Sequence, residues 1–306
     1  MSDPIIPEPS VVAVKGVAAP ELRDRQNFLV PPIRLSQGHL TLLSTCPRKF
    51  QHLFLEQLSA PESPEQQEKM LQGAQFHLVL QQWLLQLPIE PLVQEDAKLH
   101  QWFQTFQTAA PVILDMQAEV GYQQQPECDR SLDFQGYRLM TRYDLLMTSD
   151  RHAKILDWKT YPQPRQTQWL QHHWQTRLYP FVLAETSDYS PEEIAMVYWF
   201  FQARPGKADH PQSLTFRYSQ EQHEQTRQDL SKLLAQLTDW LQCYEAGEPF
   251  PQITWGSSAC EDCTFAVRCG RTNLAQNSDA IANFNPSSDP LPENLPNLAD
   301  IEEIPL

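Results

Sequence analysis

The chain has 306 residues, 41% of them hydrophobic, and a net charge of −15. It is long enough to bury one sizeable core. Its longest apolar runs, such as Ile194 to Phe201, fall far short of the ~20 residues that span a membrane, and its charge taken alone argues against a nucleic-acid binder, whose usual footprint is basic.

Residues 1–34 carry Pro4, Pro7, Pro9, Pro20, Pro31 and Pro32 without a sustained period, which predicts a disordered lead. Met1-Ser2-Asp3-Pro4 lacks the basic-then-apolar pattern of a secretory signal, so a cytoplasmic setting with reduced thiols is expected. Ser36 is placed to cap a helix along which Leu40, Leu43, Phe50 and Phe54 recur at roughly helical spacing. Pro64 and Glu65 open a second helix that runs towards Pro88, and a third covers about Gln94 to Ala109. The period then changes to two. Ala118 to Gln123, Phe134 to Met140, Tyr143 to Thr148 and Lys154 to Trp158 predict four short strands.

A helix is expected over Gln166 to Ala184, with Pro180 kinking it or ending a segment. Ile194 to Gln202 reads as a buried strand, Leu214 to Tyr218 as another, and Ser219 to Glu245 as a long helix. Beyond residue 271 the composition is rich in Asn, Pro, Ser and acids, which predicts a flexible acidic tail over 271–306. The expected fold is α/β, with a mixed central sheet flanked by helices.

The acidic balance is uneven. Between Arg138 and Arg177 there are seven Lys and Arg against three Asp, so the stretch holding the candidate chemistry is locally positive. Asp157-Trp158-Lys159 ends one predicted strand and Asp144 lies in the strand before it. In such a hairpin two carboxylates can converge on a hard divalent cation, Mg2+ or Mn2+, with the Trp158 carbonyl as a further oxygen ligand. Lys159 shares a strand face with Asp157, where its ammonium would stabilise charge developing on a phosphate or help position the attacking water. The triplet is weak by itself, since Asp96-Ala97-Lys98 repeats it in a polar helical stretch. His77, one turn after Gly73 on the second helix, could complete the coordination or could simply be a boundary residue. Gln175 and Tyr179, four apart, share a helix face and could meet a phosphate or a base, or form a polar stripe over the sheet.

Cys46 stands alone near the start of the folded region, and Cys260, Cys263 and Cys269 close it in a C-x2-C-x5-C run. Four thiolates around one centre hold either an iron–sulfur cluster or a structural zinc. Such a site would join the N- and C-terminal parts of the fold.

Taken in order, Cys46-Pro47-Arg48-Lys49-Phe50, Gly73-x3-His77, Asp144, Asp157-Trp158-Lys159, Gln175-x3-Tyr179 and the cysteine run resemble the PD-(D/E)XK nuclease superfamily in its RecB/AddB-type branch. The likeness covers roughly residues 35–270 and implies a restriction-endonuclease-like core and a DNA nuclease, in that branch an exonuclease of repair or recombination. It implies His77, Asp144, Asp157 and the Trp158 carbonyl as metal ligands, Lys159 as catalytic, and Gln175 and Tyr179 in support. It further implies Cys46, Cys260, Cys263 and Cys269 as ligands of a [4Fe–4S] cluster, Glu119 as a supporting acid, and a protein that either acts alone or joins a helicase supplied by another protein. Thr141-Arg142-Tyr143-Asp144 departs from the family's glycine-containing turn. A catalytically silent DNA-binding iron–sulfur module is the rival reading, and a zinc-stapled interaction protein explains the cysteines but not the carboxylates.

Overall fold

A computed structural model describes residues 32–59, 63–94, 96–114, 121–162, 167–202, 211–261 and 263–271. Most of the expected lead, the tail after 271 and Glu119 lie outside the described residues.

The N-terminal part holds strand β1 (Arg34–Leu35), helix α1 (Gln37–Thr45) with Ser36 as its N-cap, the four-residue helix α2 (Pro47–Phe50) and a π-helical turn at Gln51–Leu55. Helix α3 (Pro64–Leu84) opens on a capping box, in which Ser63 Oγ accepts from Gln66 N and Gln66 Oε1 accepts from Ser63 N, each at 3.2 Å. After the short α4 (Glu90–Val93), helix α5 (Ala97–Ile113) starts at Asp96, whose carboxylate accepts from Lys98 N at 2.8 Å and Leu99 N at 3.0 Å. The second Asp-x-Lys triplet is thus a helix cap.

Three long antiparallel strands follow, β2 (Gln123–Phe134), β3 (Tyr137–Thr148) and β4 (Ala153–Pro162). This corrects the expectation of four short ones. Polar residues pair across the ladder: Arg142 makes a bidentate contact with Asp129 (2.7 and 3.0 Å) and Arg138 with Asp133 (2.8 and 3.0 Å). The same pairs neutralise part of the local positive charge, because those acids lie outside the stretch that was counted.

Helices α6 (Gln168–His172) and α7 (Trp174–Glu185) replace the single expected helix, separated by His173 in extended conformation. Pro180 lies inside α7 without ending it. The burial of Leu178, Phe181, Val182 and Leu183 outweighs the one hydrogen bond that proline cannot make. Strands β5 (Ile194–Gln202) and β6 (Gln212–Arg217) and helix α8 (Gln220–Glu245) complete the fold.

The sheet runs β1-β3-β4-β5-β6, with β2 on the other edge of β3. β1–β3 and β4–β5 are parallel and the remaining pairs antiparallel, so the sheet is mixed as expected. Phe76, Trp102, Phe106, Trp158, Trp199 and Phe201 bring α3 and α5 onto one face. Ile155, Tyr198 and Phe200 meet Tyr179 and Leu183 of α7 on the other, where α1 and α8 add a further core around Leu40, Leu178 and Leu234. Alternation along β4 and β5 therefore decides which side chains reach which helices.

Candidate active site and thiol cleft

The β3–β4 ladder pairs Leu145 with Leu156 and stops there. One step on, Asp144 and Asp157 would be partners, but the strands part, and a side chain takes over the lost ladder bond. Asp144 Oδ2 accepts the Trp158 N–H at 2.6 Å. Both aspartates are almost fully buried, at 2% and 1% exposure.

Helix α3 closes the fork from one side. His77 Nε2 donates to the Trp158 carbonyl at 2.9 Å, and Nδ1 lies 3.3 Å from Asp144 Oδ1. A neutral ring bonded in this way turns its Nδ1 lone pair towards a carboxylate, an arrangement that calls for a proton or a cation between them. Glu127 of β2 joins this group: one ligand atom from each of His77, Glu127 and Asp144 lies within 4.8 Å of the others. Its backbone is left-handed, with φ of 49°, although the β2–β3 register is the same on both sides of it. Such a conformation disfavours an ordinary side chain and is found where a carboxylate has to be aimed. Burial first, and then Asp144, push the Glu127 carboxyl up to about 7.

The other side of the fork belongs to α7. Asp157 Oδ1 accepts from Gln175 Nε2 at 2.6 Å, while Lys159 Nζ sits 2.8 Å from Asp157 Oδ2 and donates to Gln175 Oε1 at 3.1 Å. The Lys159 approach to Oδ2 is an ion pair that lacks hydrogen-bond alignment. Tyr198 Oη reaches Gln175 Oε1 at 3.4 Å, and its ring lies under the Lys159 ammonium at 5.5 Å. Burial raises the Asp157 carboxyl above the usual range, against the pull of Lys159. His173, the N-cap of α7, is held near pKa 4 by burial and then by Lys159, so its neutral Nδ1 accepts from Gln175 N at 3.4 Å.

The predicted residues His77, Asp144, Asp157, Trp158, Lys159 and Gln175 all meet at this fork. Tyr179 stands behind it, buried, with its ring edge-on to Tyr143 at 5.3 Å and its carbonyl accepting from Tyr143 Oη at 3.0 Å. That is no surface for a base to stack on. Glu127, Tyr198 and His173 were not foreseen. Glu127 could have been found from the turn at Gln135-Gly136, because eight residues back and eight residues on place it opposite Asp144. The fit to a hard cation is good: an imidazole lone pair and two carboxylates converge, one of them on a re-aimed backbone.

The sequence model of the PD-(D/E)XK nuclease superfamily matches residues 34–270. The chain belongs to that superfamily. No curated protein matches this PD-(D/E)XK chain. Among solved structures, the protein SSO0001 is similar at 12% identity and a TM-score of 0.34, over 77% of this chain and 85% of the other. A protein from Eubacterium rectale, provisionally named an exonuclease, is similar at 9% identity and a TM-score of 0.47, over 74% and 86% of the two chains. PD-(D/E)XK nucleases use divalent metals, and the His77, Glu127 and Asp144 group is the candidate position for one.

Away from the fork of this PD-(D/E)XK domain, Cys46, Cys260, Cys263 and Cys269 line one cleft together with Lys49, Phe265 and Arg271. All four are free thiols. Burial raises the Cys260 and Cys269 thiols above the ordinary value. Protein contacts bring the two ends of the domain together as well: Arg48 Nε donates to the Phe250 carbonyl at 2.6 Å, and Phe250 N donates to Gln51 Oε1 at 2.6 Å. Of the other two cysteines, Cys243 is exposed on α8 and Cys128 lies on β2. Among the described residues, no helix is long and apolar enough to cross a membrane.

Proposed function

We propose that this protein hydrolyses DNA phosphodiester bonds with a divalent metal, acting on DNA ends in the manner of the RecB/AddB-type exonucleases of repair and recombination. One observation carries the reading: the ladder opens where Asp144 and Asp157 would pair, so that His77 and Glu127 converge with Asp144 on one side of the fork and Lys159 and Gln175 with Asp157 on the other.

His77, Glu127 and Asp144, with Asp157 and the Trp158 carbonyl beside them, would hold a divalent cation, whose chemistry there would be to supply positive charge to a phosphate oxygen and to acidify the attacking water. The protein's own groups do the rest. Asp144, bonded to Trp158 N, cannot rotate away from the cation position. Gln175 holds Asp157 from the helix side and receives Lys159, which keeps the ammonium over the fork for charge developing on phosphorus. His77, locked by the Trp158 carbonyl, presents one nitrogen in a fixed orientation. All the groups this chemistry requires are present together, which favours an enzyme over a silent DNA-binding module.

The four cysteines are read as ligands of a [4Fe–4S] cluster. A tetrahedral zinc site with Zn–S of about 2.3 Å would draw its sulfurs to within about 3.8 Å of one another. Among the described residues, the donor set gathered within 4.8 Å is His77, Glu127 and Asp144, not the cysteines, although these share one cleft. The wider sulfur spacing suits a cluster.

The test is cleavage of end-labelled single- and double-stranded DNA by anaerobically purified protein with Mn2+, beside Asp157→Ala. The wild type should cut and the variant should lose about 10²–10³-fold in rate. Equal cleavage by both would end the proposal.

A further inference from the structure

His52 is a buried residue that no part of the nuclease chemistry uses. It lies on the π-helical turn Gln51–Leu55, a rare local geometry that tends to mark functional positions. Its ring is held at both ends. Nδ1 is 2.7 Å from Glu56 Oε2, and Nε2 is 3.7 Å from Cys269 Sγ, within hydrogen-bond range for sulfur. Phe265, a neighbour of the same cysteines, packs on the ring at 5.1 Å. Glu56 is fixed in turn by Gln51 Nε2 at 2.6 Å and by Arg268 at 3.4 Å. Gln51 also accepts from Phe250 N, so the two ends of the domain and this side-chain chain are tied through one glutamine.

We infer that His52 is a positioning residue for the thiol cleft: held by Glu56, it donates a hydrogen bond to the Cys269 sulfur and so withdraws electron density from that ligand. The inference rests on reading the cleft as an iron–sulfur site. The chemistry follows from the donor inventory. A ligating Cys269 is a thiolate and only accepts, so the Nε2 that faces it is the donor, while Nδ1, 2.7 Å from Glu56 Oε2, fixes the orientation of the ring. Hydrogen bonds to the sulfurs of a cluster help set its reduction potential, and partners that orient a metal ligand govern how firmly the metal is retained.

Three readings on the anaerobically reconstituted full chain test this: iron content, midpoint potential followed by visible absorbance, and the rate of iron loss to a chelator. His52→Leu should lower the midpoint potential and speed iron loss about tenfold. His52→Gln, which keeps an N–H on a flexible stem, should recover part of both, and Glu56→Gln should fall between wild type and His52→Leu. A merely structural role would speed iron loss without moving the potential and would gain nothing from Gln. An unchanged potential in His52→Leu, with a wild type that holds iron, overturns the inference and leaves the cluster reading intact. A wild type that takes up no iron overturns the cluster reading, and the inference with it. If His52→Leu does not fold, Glu56→Gln decides by the same measurements, and no change there overturns the inference.

Discussion

The acid fork and the thiol cleft are built in opposite ways. At the fork every functional side chain stands on a long strand or helix, with cores packed on both faces of the sheet. The cleft is assembled from a cysteine capping a four-residue helix, the short 3-10 turn Ser258–Cys260 and the turns at 264–269. The first is preorganised by the fold. The second brings together chain ends about two hundred residues apart, through contacts such as Arg48 Nε to the Phe250 carbonyl and Phe250 N to Gln51.

The sharpest way to break this contrast is at Asp144, where one carboxylate faces His77 and accepts a backbone bond. Asp144→Asn should lower cleavage by about 10³-fold while the thermal midpoint moves little, because the amide can keep the Trp158 contact. Parallel cleavage assays and melting curves would check both halves. A large drop in the midpoint would mean that the fork depends on its ligand.

Cys263→Ala probes the other region. It should give colourless protein that is cut faster by proteases, with a stability loss below the roughly 5 kcal/mol that chain entropy assigns to a cross-link of such span. The reason for a smaller loss is that Arg48 and Gln51 still hold the Phe250 backbone and Arg268 still reaches Glu56. Denaturant melts followed by far-UV dichroism measure it.

Glu127 gives a pH test of moderate size. Its carboxyl rises from 4.5 unfolded to about 7 folded, so between those values the folded state holds the extra proton. Metal-free protein should therefore lose stability as pH rises through that window, by at most a few kcal/mol. A cation requires the carboxylate, so Mn2+ affinity should climb over the same range and flatten the loss. Calorimetry from pH 5 to 8 with and without Mn2+ would show it, and Glu127→Gln should abolish the difference. The smallest effect is expected at Asp96→Ala, which should cost about 1 kcal/mol as a lost helix cap and leave cleavage untouched.

The fork was largely legible in the chain because its signals are local. Asp157 and Lys159 stand two apart on an apolar strand, Gln175 follows on the next helical stretch, and His77 sits on a well-capped helix. Glu127 escaped because β2 is mostly exposed on its outer edge, so Gln-Gln-Gln-Pro-Glu-Cys carries no period-two pattern to betray a strand. The hairpin signal at Gln135-Gly136, both with positive φ, was the missing ruler. Tyr179 was assigned to the right helix face, but spacing alone could not say that Tyr143 would cover it. The cysteine grouping was legible by count, whereas the link from His52 to Cys269 spans 217 positions and has no sequence period at all.

The left-handed backbone at Glu127 sets a trap for anyone engineering this domain. A library screened for heat resistance would favour glycine there, since glycine occupies that backbone region freely and also removes a half-buried acid next to Asp144. Winners of such a screen would be sturdier and stripped of a carboxylate of the candidate cation site, so selection for robustness has to be coupled to selection for turnover.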